Sequence, residues 1–200
     1  TYEIEGSEQV LDGTTILSWL TINDDLSVTV DSDMAASYAQ QLASKYNTYA
    51  ATRSFETTAG DTVKIGGGDY GWVINKKGEA AQIVEDIKNG ESVTREPKYE
   101  QRAFVEGADD IGNTYIEIDY TNQHLWYYKD GSLVVDSDIV SGNLNNGNGS
   151  PDGVFKVISR QSPATLKGED YESDVTYFMP FAYNVGLHDA SWRSSFGGSI

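Results

Sequence analysis

The chain has 200 residues, and its 31 Asp and Glu against 14 Lys and Arg give a net charge of −17. That charge excludes recognition that depends on neutralising phosphates, so nucleic acid is not an expected partner. The composition, 38% hydrophobic and 12% aromatic with no cysteine, indicates a globular protein without disulfides, cysteine-ligated zinc or a cysteine nucleophile inside these residues.

Two amphipathic helices are predicted in the first half. Asp31, Ser32 and Asp33 are capping residues, and the apolar residues after them recur at helical spacing. These residues share one face: Ala35, Tyr38, Ala39, Leu42, Ala43 and Tyr46. A second helix is predicted from near Gly78 to Gly90, because glycine readily adopts the left-handed conformation that ends a helix.

Strand patterns fill the rest of the chain. In the first half they cover 52–57, 62–65 and 70–74, with a glycine run at 66–68 that predicts a tight turn. In the second half alternating or apolar runs occur at 115–119, 125–128, 133–135, 139–140, 154–158 and 177–179. The first three of these predict an antiparallel meander, and the set as a whole predicts a closed or sandwiched β domain.

A change of pattern and a polar, glycine-bearing stretch at 106–113 predict a domain boundary. We expect an α+β accessory domain at 1–108 and a mostly-β, sandwich-like domain at 109–200.

Short motifs along the second half occur in a diagnostic order. They are Ile-Glu-Ile-Asp at 116–119, Gln123, Leu125, Tyr128, Gly131, Ser-Gly at 141–142, Ser-Pro-Asp-Gly-Val-Phe at 150–155 and Gly-Leu-His-Asp at 186–189. In this order they resemble the L,D-transpeptidase catalytic domain of bacterial cell-wall enzymes, over residues 115–200. The first half is similar to the peptidoglycan-binding-type domain that precedes it in some Gram-positive relatives, through 17–20, Lys45, Tyr46, Thr52, Arg53, Phe55, Gly67, Gly68, 70–72 and 95–97.

The resemblance implies a cysteine nucleophile in a Ser-His-Gly-Cys-x-Asn motif a short way after His188. The chain reaches Ile200 without that motif. We expect the natural chain to continue, so that the catalytic domain is C-terminally incomplete and this stretch alone is inactive. The alternative is a non-catalytic cell-wall-binding module that keeps the fold but has lost the nucleophile.

The resemblance also implies a reaction and its partners. The reaction forms 3→3 peptide cross-links through a cysteine acyl-enzyme, with a stem tetrapeptide as donor and an amine of a second stem peptide as acceptor. It implies acylation by carbapenems, no cofactor, and an extracytoplasmic place in the cell wall. No run of about 18 apolar residues occurs, so we expect any membrane anchor in a segment outside this chain.

The resemblance places site residues near the end of the chain. His188 aligns with an active-site histidine and is the candidate catalytic residue, although a lone histidine is more often a structural hydrogen-bonding group. Either His188 is itself the base, or it relays protons near the thiolate and the histidine beside the cysteine is the base. We assign Asp189, Trp192, Arg193 and Met179 to substrate binding. Asp189 either orients the imidazole or caps a turn. Trp192 and Arg193 either stack and bind a carboxylate, or lie in the core and pair with a surface acid.

No metal site is predicted. His124 lies in a turn between two predicted strands, which is typical of an exposed residue. The loop at 143–149 is rich in Asn and Gly but lacks the acidic residues that a calcium loop requires.

Overall fold

The computed structural model describes residues 1–143, 147–168, 171–183 and 185–198. These residues pack as two compact units: unit 1 comprises 1–49 and 71–110, and unit 2 comprises 50–70 and 111–200.

The elements, in chain order, are β1 (Tyr2–Ile4), β2 (Ser7–Gln9), α1 (Gly13–Leu17), β3 (Leu20–Ile22), β4 (Val28–Val30), α2 (Ser32–Tyr46), β5 (Arg53–Glu56), β6 (Thr62–Ile65), β7 (Val73–Ile74), α3 (Lys76–Asn89), β8 (Tyr99–Gln101), β9 (Tyr115–Asp119), β10 (His124–Lys129), β11 (Ser132–Asp138), β12 (Ala164–Lys167), β13 (Glu172–Val175), β14 (Phe178–Ala182) and β15 (Val185–His188).

Unit 1 is α+β, as predicted, and both helix predictions are confirmed. The Asp31 carboxylate accepts hydrogen bonds from the backbone N–H groups of Asp33 and Met34 at the start of α2. Asn75 caps α3, and Gly90 ends it in the left-handed conformation with φ 68°. The buried core of the unit consists of Tyr2, Ile4, Trp19, Ala35, Leu42, Ala43, Tyr46, Ile74 and Ile83.

A buried ionic cluster joins the start of unit 1 to α3. Glu79 is fully buried, and its carboxylate accepts hydrogen bonds from the Tyr2 hydroxyl at 2.6 Å and from the Lys98 backbone N–H at 2.6 Å. The Arg95 guanidinium donates to both oxygens of Glu79, at 2.7 and 3.0 Å. Burial, followed by the hydrogen bond to Glu79, raises the pKa of Tyr2. These partners compensate the negative charge of Glu79, whose burial without them would cost free energy.

Unit 2 is mostly β, as predicted, and no helix occurs among its described residues. The predicted meander is confirmed as a three-stranded antiparallel sheet in the order β11-β10-β9. The remaining strands form two-stranded hairpins, β5-β6, β12-β13 and β14-β15. Sequence patterning indicated part of β14 but not β12, β13 or β15.

Residues 50–70 belong to unit 2 although they precede the predicted boundary. Phe55 of β5 packs edge-on against Tyr115 of β9, with ring centroids 5.4 Å apart. The Thr58 hydroxyl donates to the Glu117 carboxylate at 2.6 Å. The boundary at 108/109 stays a prediction, whereas the packing assigns the 53–65 hairpin to the later unit.

The glycine run at 66–68, where a tight turn is predicted, follows β6 and lies against a distant backbone. Val154 accepts hydrogen bonds from the N–H groups of Asp69 and Tyr70, at 3.1 and 3.2 Å, and it bridges to Gly68. A Cβ on Gly68 would lie 2.0 Å from the Val154 carbonyl oxygen. Glycine is therefore required where the two backbones meet.

Two predicted strands are wrong. At 154–158 only Val154 makes a strand-type bridge, and Ile158 N–H donates to Pro180 O, so the segment bonds to two different partners and not to one ladder. Residues 139–140 also lie outside any strand, because Ile139 N–H donates to Gln123 O, within a turn. The strand predicted at 70–74 is confirmed only for Val73–Ile74.

Candidate functional site

All five predicted site residues line one open groove in unit 2, of about 1880 Å³. The groove is lined by residues of the meander, of the segment 157–161, of β14 and β15, and of the turn that follows β15. The site residues on it are Met179, His188, Asp189, Trp192 and Arg193. The structure brings these side chains together, and their roles stay predictions.

The β14-β15 hairpin sets the positions of Met179 and His188. In its register Phe178 faces His188 and Met179 faces Leu187. A Cβ on Gly186 would lie 2.4 Å from the Phe178 ring, so glycine lets the aromatic ring pack over β15. His188 is therefore the last residue of a strand, at the edge of the groove.

The hydrogen bond of the His188 ring defines its reactive nitrogen. Nδ1 lies 2.9 Å from the backbone oxygen of Asp189. A carbonyl oxygen only accepts, so Nδ1 carries the proton and, in the neutral ring, Nε2 carries the lone pair. The ring also packs against Trp192, with centroids 5.8 Å apart and planes at 30°. This arrangement presents Nε2 as a proton acceptor.

The Asp189 side chain holds residues 176–177 in place by hydrogen bonds. Its carboxylate accepts hydrogen bonds from the backbone N–H groups of Tyr177 at 2.8 Å and Thr176 at 3.1 Å. These bonds lower the pKa of Asp189 below its ordinary value. The Asp189 carboxylate thus acts locally, and the hydrogen bond to the His188 ring comes from the backbone oxygen of Asp189.

Trp192 and Arg193 follow in the turn after β15. Trp192 is 53% exposed, so it is not a core residue. The Arg193 backbone N–H closes the turn by donating to Ala190 O at 3.0 Å. No ion pair joins the Arg193 guanidinium to a carboxylate within the part of the chain that the structure describes. Both side chains are therefore available to a ligand in the groove.

The interpretation of His124 as an exposed turn residue is wrong. His124 begins β10, and its side chain is 20% exposed between two carboxylates of β11. Nε2 lies 2.6 Å from Asp136 and Nδ1 lies 2.9 Å from Asp138. The hydrogen bond to Asp136, and then that to Asp138, raises the pKa of His124. The register of β10 against β11, which pairs His124 with Asp138, could not be read from the sequence.

The described residues contain no group of three or more His, Cys, Asp or Glu side chains that could hold a metal. Residues 144–146 of the loop at 143–149 lie outside the described residues. None of the helices in the ranges given above has the length and apolar character of a membrane span.

Sequence reasoning missed two cationic groups of the groove, Arg160 and Lys167. Lys167 pairs with Glu172 at 3.3 Å. The Arg160 guanidinium lies over the Tyr177 ring, 5.2 Å from its centroid. Neither residue belongs to a motif, and nothing in the sequence pattern separates them from other surface cations.

Comparison with known proteins agrees with this architecture. Residues 1–95 match a family model described as "Putative peptidoglycan binding domain", and residues 113–199 match that of the L,D-transpeptidase catalytic domain. No curated protein matches the chain.

Solved structures give a match over almost the whole chain. A cysteine-to-serine mutant of Enterococcus faecium L,D-transpeptidase is 38% identical, with a TM-score of 0.75 over 98% of this chain and 79% of that one. The Ldtfm–avibactam carbamoyl enzyme is also 38% identical, with a TM-score of 0.75 over 98% and 78% of the two chains. An NMR structure of the E. faecium catalytic domain acylated by ertapenem is 46% identical over 45% of this chain and 73% of that one, with a TM-score of 0.40.

Proposed function

The chain belongs to the L,D-transpeptidase family, and from that premise we propose that the complete protein forms 3→3 cross-links in peptidoglycan through a cysteine acyl-enzyme. The observation that carries the proposal is the groove lined by His188, Trp192 and Met179. Nδ1 of His188 is bonded to a backbone oxygen, and its Nε2 has no hydrogen-bond partner among the described residues. The family places the protein in the cell wall, outside the cytoplasm. An anchor in a segment outside this chain is part of the proposal.

The nucleophile is a cysteine supplied by sequence after Ile200. The support for this is that the E. faecium relative, of which this chain covers 79%, was crystallised as a cysteine-to-serine mutant. A thiol becomes a strong nucleophile when a nearby imidazole accepts its proton. In this proposal His188 Nε2 is that acceptor.

The proposed reaction has two steps, acylation of the thiol and transfer of the acyl group to an amine. The thiolate attacks the carbonyl before the terminal residue of a tetrapeptide donor, the amide bond breaks, and the terminal residue leaves as an amine that takes a proton from His188. A thioester remains. The acceptor amine attacks the thioester, a new amide bond forms, and the thiol is restored. Water must be kept from the thioester for transfer to exceed hydrolysis.

The other groove residues bind the substrate. Trp192 offers an exposed aromatic face for the peptide, and Arg193 offers planar donors for a carboxylate. Met179, half-buried in β14, forms part of the groove wall. Asp189 contributes by holding residues 176–177 against the His188 turn.

Unit 1 binds the wall polymer, and carbapenems acylate the nucleophile. The family match at 1–95 supports the first statement. A similar protein whose structure is a carbamoyl enzyme formed with avibactam supports the second.

The test is product formation by the complete protein. Purified protein, kept reduced, is given a muropeptide tetrapeptide donor and an acceptor, and the products are separated by liquid chromatography with mass spectrometry. We expect a cross-linked dimer whose mass equals donor plus acceptor minus the terminal residue released as a free amino acid. A His188→Gln variant should lower its rate by about 10²-fold or more, as general-base removal does.

A second function remains because the chain contains no cysteine. A non-catalytic cell-wall-binding module would be retained on purified sacculi, form no dimer, and have no cysteine after Ile200. That combination of results would replace the transpeptidase proposal.

A further inference from the structure

A buried amide joins the turn before β10 to the segment after β11. Gln123 is 8% exposed, and its side-chain Oε1 accepts a hydrogen bond from the Ser141 backbone N–H at 2.6 Å. Its Nε2 donates to the Tyr120 backbone oxygen and to the Ser141 hydroxyl, each at 2.7 Å. The Gln123 backbone oxygen also accepts from the Ile139 N–H at 2.8 Å. Gln123 therefore holds the segment 139–141 by both its backbone and its side chain.

The segment 139–141 lines the groove and also anchors the chain that follows β15. The Gly197 backbone N–H donates to Ile139 O at 2.9 Å. Gly197 has φ of 78°, and a Cβ at this position would lie 2.9 Å from the Asp138 Cγ, so glycine allows the close approach. The chain after β15 is therefore attached at the end of β11, to a residue that Gln123 holds.

Trp192 and Arg193 lie in a stretch that is held at its two ends. At the first end the Asp189 carboxylate bonds to the backbone before β14, and at the second end Gly197 bonds to the segment after β11. Within the described parts of the chain, no hydrogen bond joins residues 190–196 to another element. Trp192 adds a ring contact with the imidazole that ends β15. The position of this stretch in the groove therefore depends on its two attachments.

We infer that Gln123 is a positioning residue for the substrate-binding side chains Trp192 and Arg193, and that it acts through Ile139 and Gly197. The inference rests on the proposed function, in which Trp192 and Arg193 bind the substrate. Gln123 is buried and both N–H donors of its amide are used within the protein, so it does not itself contact the substrate. It sets the place where the second end of the substrate-binding stretch is attached.

The chemical step should depend little on this attachment. His188 ends a strand of the β14-β15 hairpin, and its Nδ1 is bonded to the backbone oxygen of Asp189. Among the described residues, no hydrogen bond joins His188 or Asp189 to the segment 139–141. A change at Gln123 should therefore weaken substrate binding, which raises KM, and leave kcat near its wild-type value.

The test is the kinetics of dimer formation by the complete protein, with a stem tetrapeptide as donor and a saturating acceptor. Gln123→Met keeps a side chain of similar length but removes the amide hydrogen bonds. We expect it to raise the donor KM by about tenfold, roughly the affinity that one hydrogen bond to a charged group supplies, with kcat within about twofold of wild type. Thr114→Val is the control, because it removes the side-chain acceptor of the Asp130 N–H at the opposite end of the meander, and it should leave KM unchanged.

A second comparison asks whether Gln123 acts through the substrate-binding stretch. In a Trp192→Ala, Arg193→Gln background the side chains that Gln123 positions are absent, so adding Gln123→Met should not raise KM further.

Gly197→Ala breaks the same chain of contacts at its second step, and it tests the inference even where Gln123→Met does not fold. The new Cβ would meet Asp138, so we expect the donor KM to rise and kcat to stay near wild type. Gly198→Ala is its matched control, because nothing lies within 4 Å of a Cβ there, and it should leave KM unchanged.

The outcomes separate the two proposals. A merely structural role reduces the folded fraction, which lowers kcat per total protein and leaves KM unchanged. If the wild-type protein makes dimer and Gln123→Met or Gly197→Ala leaves KM unchanged, the inference is wrong and the proposed function stands. If Gln123→Met raises KM as much in the Trp192→Ala, Arg193→Gln background as in wild type, the inference is also wrong. If the wild-type protein makes no dimer, the proposed function fails and the inference fails with it.

Discussion

His188 and Asp189 are adjacent residues with separate tasks. The backbone oxygen of Asp189 orients the imidazole of His188 by a hydrogen bond. The Asp189 carboxylate instead accepts hydrogen bonds from the backbone N–H groups of Thr176 and Tyr177. Replacing the carboxylate should therefore loosen the 176–177 segment and leave the imidazole its hydrogen-bond partner.

Asp189→Asn should lower the melting temperature at neutral pH. The folded-state pKa of Asp189 is lowered, so its contribution is complete above the ordinary pKa of 3.8 and is lost as pH falls through the folded value. Calorimetric melts from about pH 7 to pH 3 should show the gap between variant and wild type closing at the acid end. Asp152→Asn, an exposed aspartate of the same unit, is the control. A gap that is constant with pH would contradict this account.

Glu79→Gln should destabilise unit 1 by about 3 kcal/mol, because it removes the fully buried carboxylate that pairs with Arg95 and leaves the guanidinium only its ion pair with Asp86. Urea denaturation followed by the fluorescence of Trp19 and Trp72 measures the change. Glu85→Gln, at an exposed position of the same helix, should change the free energy of unfolding by less than about 0.5 kcal/mol. Equal effects of the two variants would show that the cluster adds nothing to stability.

At the scale of elements, the features that could be predicted are those with a local cause. The start of α2 is predicted by its capping residue Asp31, and the end of α3 by Gly90. The meander is predicted by the alternation of apolar and polar residues and by the turn at Gly131. The apolar run at 154–158 is typical of a strand, but the backbone of Val154 bonds to residues 67–70 and that of Ile158 bonds to Pro180, so no single ladder forms. Such pairings are set by tertiary packing and leave no periodic signal.

The same distinction applies to the site. His188 and its neighbours were found through a resemblance of ordered motifs, and the groove brings them together. The carbonyl partner of Nδ1, the backbone partners of Asp189 and the position of Arg160 depend on strand register, which one sequence does not reveal. The composition of 106–113 predicts a boundary segment, yet its Asp110 is fully buried and accepts a hydrogen bond from Thr48.

Gly68→Ala should destabilise unit 2 more than Gly67→Ala. Both glycines have φ of 81°, so both substitutions carry the same left-handed strain, about 1 kcal/mol. Only Gly68 lies against another backbone, and its new Cβ would meet the Val154 carbonyl oxygen at 2.0 Å, whereas nothing lies within 4 Å of a Cβ on Gly67. We expect an additional loss of about 1–3 kcal/mol at Gly68, measured by urea denaturation. Equal losses would show that the two backbones do not meet there.

At the scale of the whole molecule, the chain contributes residues 50–70 to a unit formed mainly by later sequence. The family match to the peptidoglycan-binding-type domain runs across this stretch, over 1–95. Contacts with Tyr115, Glu117 and Val154 assign the stretch to unit 2 nonetheless.

Hydrogen exchange in the Glu79→Gln variant tests that assignment. Loss of the buried cluster should accelerate amide exchange in α2 and α3, which belong to unit 1. The β5-β6 hairpin should keep its wild-type exchange rates, as should β9 and β10. A hairpin that accelerates together with α2 would show that residues 53–65 unfold with unit 1.

The central claim is that His188 activates a cysteine nucleophile at the groove of unit 2. The most direct measurement is intact-mass spectrometry of the complete protein incubated with a carbapenem, with wild type and His188→Gln compared over time. We expect wild type to gain the mass of one carbapenem on a single cysteine, and His188→Gln to react about 10²-fold more slowly or worse. A wild-type protein that gains no adduct, or a His188→Gln variant acylated at the wild-type rate, would contradict the claim.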